Sequence, residues 1–147
     1  MTSRALGAGR IALGALALAA LVACGGDEAG TGDGSFPAEA YTTAKSAGGL
    51  TLALRTAPTQ PPPRGTCTVE LTITDASGAP KDGLGVEVVP WMTSHGHGAS
   101  VKPTVTPKGG GRYVVSNVSL FMPGSWELRT NLSGPLEDHA TAVVTVP

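Results

Sequence analysis

Short apolar–polar alternations, Gly- and Pro-rich turn signals about every 8–12 residues and the lack of any long segment with a 3.6-residue period predict an all-β protein. About seven short strands in this pattern fit an immunoglobulin-like β-sandwich, preceded by a signal peptide and a flexible tether.

The leader comes first. Arg4 and Arg10 stand ahead of an apolar run from Ile11 to Ala23. A run of roughly 7–15 apolar residues behind a basic start is an export signal, whereas a bilayer-spanning helix needs about 20. Its last residues, Leu21-Val22-Ala23-Cys24, resemble a bacterial lipobox, in which the peptidase cuts before a lipid-carrying cysteine. Residues 1–23 are therefore expected to be removed, and Cys24 is the expected lipidation site. Lipoproteins of this class carry three acyl chains, beyond the two signals that stable anchoring takes. The expected location is extracytoplasmic, with the chain anchored by lipid to the bacterial cell envelope. Gly25 rather than aspartate follows the cysteine, which favours the outer membrane in a Gram-negative cell.

Residues 24–49 read as a lipidated flexible linker rich in Gly, Ala, Thr, Asp and Glu, with Phe36 and Tyr41 its only large side chains. As a coil it would span roughly 25–30 Å. Residues 50–147 read as the folded domain. Leu50, Leu52 and Leu54 alternate with Thr51, Ala53 and Arg55, and the Pro61-Pro62-Pro63 run follows as a stiff connection. Cys67, Val69, Leu71 and Ile73 then face one way, and Thr68, Glu70, Thr72 and Thr74 the other, as in a half-buried strand.

Asp75 to Gly83 carries turn signals, and Leu84, Val86 and Val88 begin another strand. Val101 to Val105, interrupted by Pro103, suits an edge strand. Gly109-Gly110-Gly111 lacks the Lys-Ser/Thr of a phosphate loop and reads as a turn before a strand from Tyr113 to Phe121. Met122-Pro123-Gly124-Ser125 has Pro and Gly at the centre of a type II turn, which should reverse the chain. Trp126, Leu128, Thr130 and Leu132 form the next inward row, and His139 to Val146 closes the sequence.

Losing the leader removes two arginines and leaves eight basic against eleven acidic residues, a net charge near −3. With no basic cluster to neutralise phosphates, nucleic acid is disfavoured as a partner. Cys67 is the only cysteine besides Cys24, so no disulfide forms within the chain, and its inward row makes it a buried thiol. No nucleophile elbow, His-Glu-x-x-His or Cys-x-x-Cys occurs, and the chain reads as non-enzymatic.

Four of the five His and Met residues beyond the leader lie in two segments: Met92, His95 and His97 in Trp91 to Gly98, and Met122 in its turn. In an extended stretch His95 and His97 would point to one side with Cα atoms about 6.6 Å apart, able to converge on one ion. Gly96 and Gly98 leave the imidazoles uncovered. Imidazole and thioether are uncharged and thioether is soft, so the set Met92, His95, His97 and Met122 selects copper as Cu(I) over Mg²⁺, Ca²⁺ and structural Zn²⁺. Protons compete for an ordinary imidazole below about pH 6.5, so affinity should fall there. The structural alternative has the imidazoles bonding to backbone and the methionines filling the end of the sandwich. His139 has no partner nearby in sequence, Trp126 belongs to the core, and Trp91, on the face of Glu87, is expected to be partly exposed.

From about Arg64 to Val146 these pieces together resemble the YtkA-like/FixH-like group of small extracytoplasmic domains. They are Met92, the His95-Gly96-His97-Gly98 loop, the Gly-rich turn before Tyr113, and Met122-Pro123-Gly124-Ser125-Trp126. The resemblance implies an immunoglobulin-like fold and a link to copper handling or respiratory-oxidase assembly. Two departures stand out: Thr93 and Ser94 replace the proline that often follows the first methionine, and a lipid tether replaces the membrane span of FixH-type relatives. Two functions follow as expectations. One is a membrane-tethered carrier or buffer of Cu(I), with a copper-handling or oxidase-assembly partner. The other is an envelope interaction module that docks a protein partner, with a purely structural His-Gly-His loop.

Overall fold

The computed structural model describes residues 35–147; the expected signal peptide, Cys24 and the first part of the linker lie outside the described residues. Among the described residues nine strands run in chain order: β1 (Thr42–Lys45), β2 (Thr51–Ala57), β3 (Gly65–Thr74), β4 (Gly85–Met92), β5 (His97–Gly98), β6 (Thr104–Gly109), β7 (Arg112–Leu120), β8 (Gly124–Ser133) and β9 (Asp138–Val146). They form two antiparallel sheets, one ordered β1-β2-β3-β7-β6 and the other β5-β4-β8-β9. The all-β sandwich read from the sequence is the observed fold.

Alternation explains which faces meet. Leu52 and Leu54 of β2, Cys67, Val69, Leu71 and Ile73 of β3, and Val115 and Val118 of β7 pack against Val88 and Met92 of β4, Trp126, Leu128 and Leu132 of β8, and Val144 and Val146 of β9. Tyr113 is fully buried and anchors the turn after β3: its hydroxyl donates to Lys81 O at 2.9 Å and accepts from Leu84 N at 3.2 Å. Both backbone groups would otherwise lack a partner where water is scarce.

Two strands exceed the seven expected. The stretch read as linker up to Gly49 contributes β1, which pairs with β2 from Thr42↔Leu54 to Lys45↔Thr51. Buried Ala44 and Leu50, with Tyr41 packed against the core, are the reason. The Tyr41 hydroxyl also accepts from Thr145 N at 3.3 Å, and Ala47 N donates to His139 O, so this edge of one sheet is tied to the edge of the other. The second addition, β5, is two residues long.

The expected edge strand starts later than the sequence suggested, at Thr104 directly after Pro103, and β6 does occupy an edge. At the β6–β7 turn, Gly109, Gly110 and Gly111 all have positive φ, and the Asp82 carboxylate accepts from the N–H groups of Gly110 and Gly111 at 3.2 and 2.8 Å. Met122 to Ser125 carries the chain from β7 in one sheet to β8 in the other, and Gly124 has φ +118°.

Candidate functional site

The site is built on the β4–β5 hairpin and the β7–β8 crossover. Thr93 to Gly96 form a tight turn in which Met92 O accepts from both His95 N at 3.1 Å and Gly96 N at 2.9 Å. Gly96 has φ +68°, a conformation that suits glycine. His95 therefore sits in a turn, not in the extended stretch from which the 6.6 Å spacing was reckoned. The two rings still lie close, with centroids 5.8 Å apart and planes at 61°.

Register places the rest. Met92 pairs with His97 in the β4–β5 ladder, and directly opposed residues project to the same face. That face is the inner one, since Val88, Pro90 and Met92 are the buried positions of β4. Trp126, one step beyond the Trp91↔Glu127 pair, extends the row, and it pairs in turn with Val144. His97, at the open end of this row on a two-residue edge strand, remains exposed.

The crossover closes the site from the other side. Trp126 Nε1 donates to Met122 O at 2.9 Å, which fixes the Met122 backbone against the inner row. His97 and Met122 line one cavity of about 240 Å³, together with Ala99, Ser119, Phe121 and Trp126. Met92 is 2% exposed and lies beneath the crossover: a Cβ built on Gly124 would stand 3.0 Å from its Cε. His97 and Met122 are thus brought to one cavity, with His95 beside His97 and Met92 in the adjoining core.

The orientation of His97 favours ligation. Its Nδ1 lies 3.1 Å from Gly98 O, and since a carbonyl only accepts, that contact is a hydrogen bond only with the proton on Nδ1. The Nε2 lone pair is then free, and a backbone carbonyl holding the other nitrogen is how ligating imidazoles are commonly oriented.

Outer-face residues steady the hairpin. The Arg129 guanidinium stacks 4.7 Å over the Trp91 ring and binds the Glu127 carboxylate at 2.7–2.8 Å. Glu127 in turn accepts from the Thr93 hydroxyl, and this bond, followed by Arg129, holds its carboxyl below the usual carboxylate range. A chain Trp91–Arg129–Glu127–Thr93 therefore ties the histidine turn to the sheet. Sequence reasoning missed it because Glu127 meets Trp91 only through the β4–β8 register. The partial exposure expected of Trp91 is observed.

Other expectations resolve structurally. Cys67 is free and buried, its thiol pushed up to about 11 by desolvation. His139 is exposed at the start of β9. A larger cavity, about 500 Å³, lies over the outer face of the first sheet. Its charges are engaged with one another: Glu70, 5% exposed, accepts from Arg55 at 3.3 Å and from Arg112 at 2.7–3.0 Å, while Arg55 also donates to Ala38 O. Among the described residues no three or more His, Cys, Asp and Glu side chains are grouped to hold a metal, so the donors available at the hairpin are imidazole and thioether.

No curated protein and no solved structure matches the chain. A family model described as YtkA-like matches residues 45–131, from the end of β1 into β8, which takes in both the histidine hairpin and the Met122 crossover.

Proposed function

The chain belongs to the YtkA-like family, and from that premise we propose that it is an extracytoplasmic lipoprotein whose β-sandwich binds Cu(I) reversibly, as a carrier or buffer of the ion. The observation that carries the reading is the shared cavity of His97 and Met122, two uncharged donors 25 residues apart in sequence, with His95 5.8 Å from His97 ring to ring.

Copper is favoured on donor chemistry. Mg²⁺ and Ca²⁺ take oxygen ligands, and structural Zn²⁺ sites are closed by thiolates and imidazoles. Imidazole with thioether suits Cu(I). His97 would offer Nε2, Met122, which lines the same cavity, its thioether sulfur, and His95 a second imidazole. Met92 supplies a further sulfur only if its side chain turns out of the core, so its first role is to support the crossover beneath Gly124. In this reading Cys24 anchors the domain to the envelope, and a copper-handling protein or an oxidase-assembly partner receives the ion.

The test is an anaerobic Cu(I) titration of the full chain in non-ionic detergent, in competition with a chromophoric chelator. Saturable one-to-one binding that a His95→Ala/His97→Ala double variant loses is the expected result. A wild-type chain that never competes would leave the interaction-module reading, for which exposed Phe121 at the mouth of the cavity is the supporting feature.

A further inference from the structure

Resting on the copper reading, we infer that the cavity between His97 and Met122 is a seat for one external thioether, the methionine side chain of a partner protein, which joins the coordination of Cu(I) during transfer. The first ground is size. At about 240 Å³ the cavity holds several times the ~30 Å³ that one water occupies in the liquid, far more than a bare ion needs.

Its walls define what fits the remainder. Among the described residues no charged side chain lines the cavity, which disfavours a carboxylate or ammonium group stripped of water. The buried Trp126 ring and the exposed Phe121 ring, 61% accessible, offer apolar and aromatic surface, and a thioether sulfur packs well against aromatic rings. Phe121 is also one of the few large hydrophobic side chains left in water among the described residues.

Donor count points the same way. Of the four donors among the described residues of this region, His97 and Met122 line the cavity, and Met92 is shut in the core. With His97, Met122 and the neighbouring His95 as its donors from this chain, an ion bound here would be left able to take a further ligand from outside. The incoming sulfur would bind through a lone pair while copper stays Cu(I) and no proton moves; transfer would then be completed by breaking the bonds to His97 and Met122 while the bond to the partner's sulfur is kept.

The experiment loads the full chain with Cu(I) anaerobically in detergent and measures its retention against a chromophoric chelator, with millimolar N-acetylmethionine amide or its sulfur-free analogue N-acetylnorleucine amide. Free thioether in solution competes for copper and alone would lower retention, so the sign of the effect is informative. Retention is expected to rise at least threefold with the methionine probe and to stay unchanged with norleucine.

Filling the cavity with Ser119→Leu should keep Cu(I) binding without probe and abolish the enhancement. Phe121→Ala, which trims an exposed wall, should weaken the enhancement if the leucine variant fails to fold. Equal enhancement by norleucine, or retention that falls with the methionine probe, overturns the inference while leaving copper binding intact. A chain that binds no Cu(I) without probe overturns the copper reading itself, and this inference with it.

Discussion

His97 concentrates the chemistry of the site in one side chain: Nδ1 faces Gly98 O and Nε2 is left to bind. His97→Ala should therefore weaken Cu(I) binding by at least tenfold in chelator competition, the equivalent of about 1.4 kcal/mol, and His95→Ala, whose residue sits outside the cavity lining, by less. Tyr113 is the structural counterpart. Tyr113→Phe strands Lys81 O and Leu84 N, and should cost about 2 kcal/mol in urea unfolding. Cys67 makes a third claim. Burial raises its thiol to about 11 from 9.0, so the folded state holds a proton that the unfolded chain gives up. That contribution is complete below about pH 9 and is lost as pH rises towards 11, where stability should fall by the order of 2 kcal/mol; a thiol reagent at neutral pH should react with Cys67 only after unfolding. The burial of Cys67 was legible because strict alternation fixes a face. The burial of Glu70 was not, because the same alternation puts it on the polar side, and the arginines that cover it arrive from β2 and β7.

Strands with a continuous inward row were legible as elements: β3, β8 and β9 lie close to where alternation and turn residues put them. The β1 strand was hidden because four residues, Thr42–Lys45, carry too little pattern, and its pairing with β2 depends on contacts made elsewhere. The tight turn after β4 was misread as extended because Ser-His-Gly-His has no inward row to set a period. Two turns decide how these elements are joined, and each invites a test. Gly111 has φ +71°, and a Cβ there would stand 2.5 Å from Ile73 O, so Gly111→Ala should cost more than the ~1–2 kcal/mol of a left-handed residue alone, measured by thermal unfolding. At the hairpin, Thr93→Val removes the Glu127 latch while leaving every proposed donor in place. It should weaken Cu(I) binding severalfold with little change in melting temperature, as expected when a positioning contact rather than a ligand is lost.

At the scale of the whole molecule, the sandwich does one thing the sequence could not disclose: by sending β7 into one sheet and β8 into the other, it carries Met122 across to the end of the β4–β5 hairpin. Composition and alternation gave two sheets, but not which loops share a pole, since that depends on strand order. The ion should consequently report on the whole fold. At a free concentration about 100 times its dissociation constant, Cu(I) should add about 2.7 kcal/mol to unfolding free energy, and the double histidine variant should show none of that gain. The most direct measurement is copper K-edge X-ray absorption on the anaerobically loaded chain. The account predicts a Cu(I) edge with both imidazole nitrogen and sulfur in the first shell, the sulfur scattering reduced in Met122→Leu. A shell of nitrogen or oxygen alone, unaltered by that substitution, would contradict it.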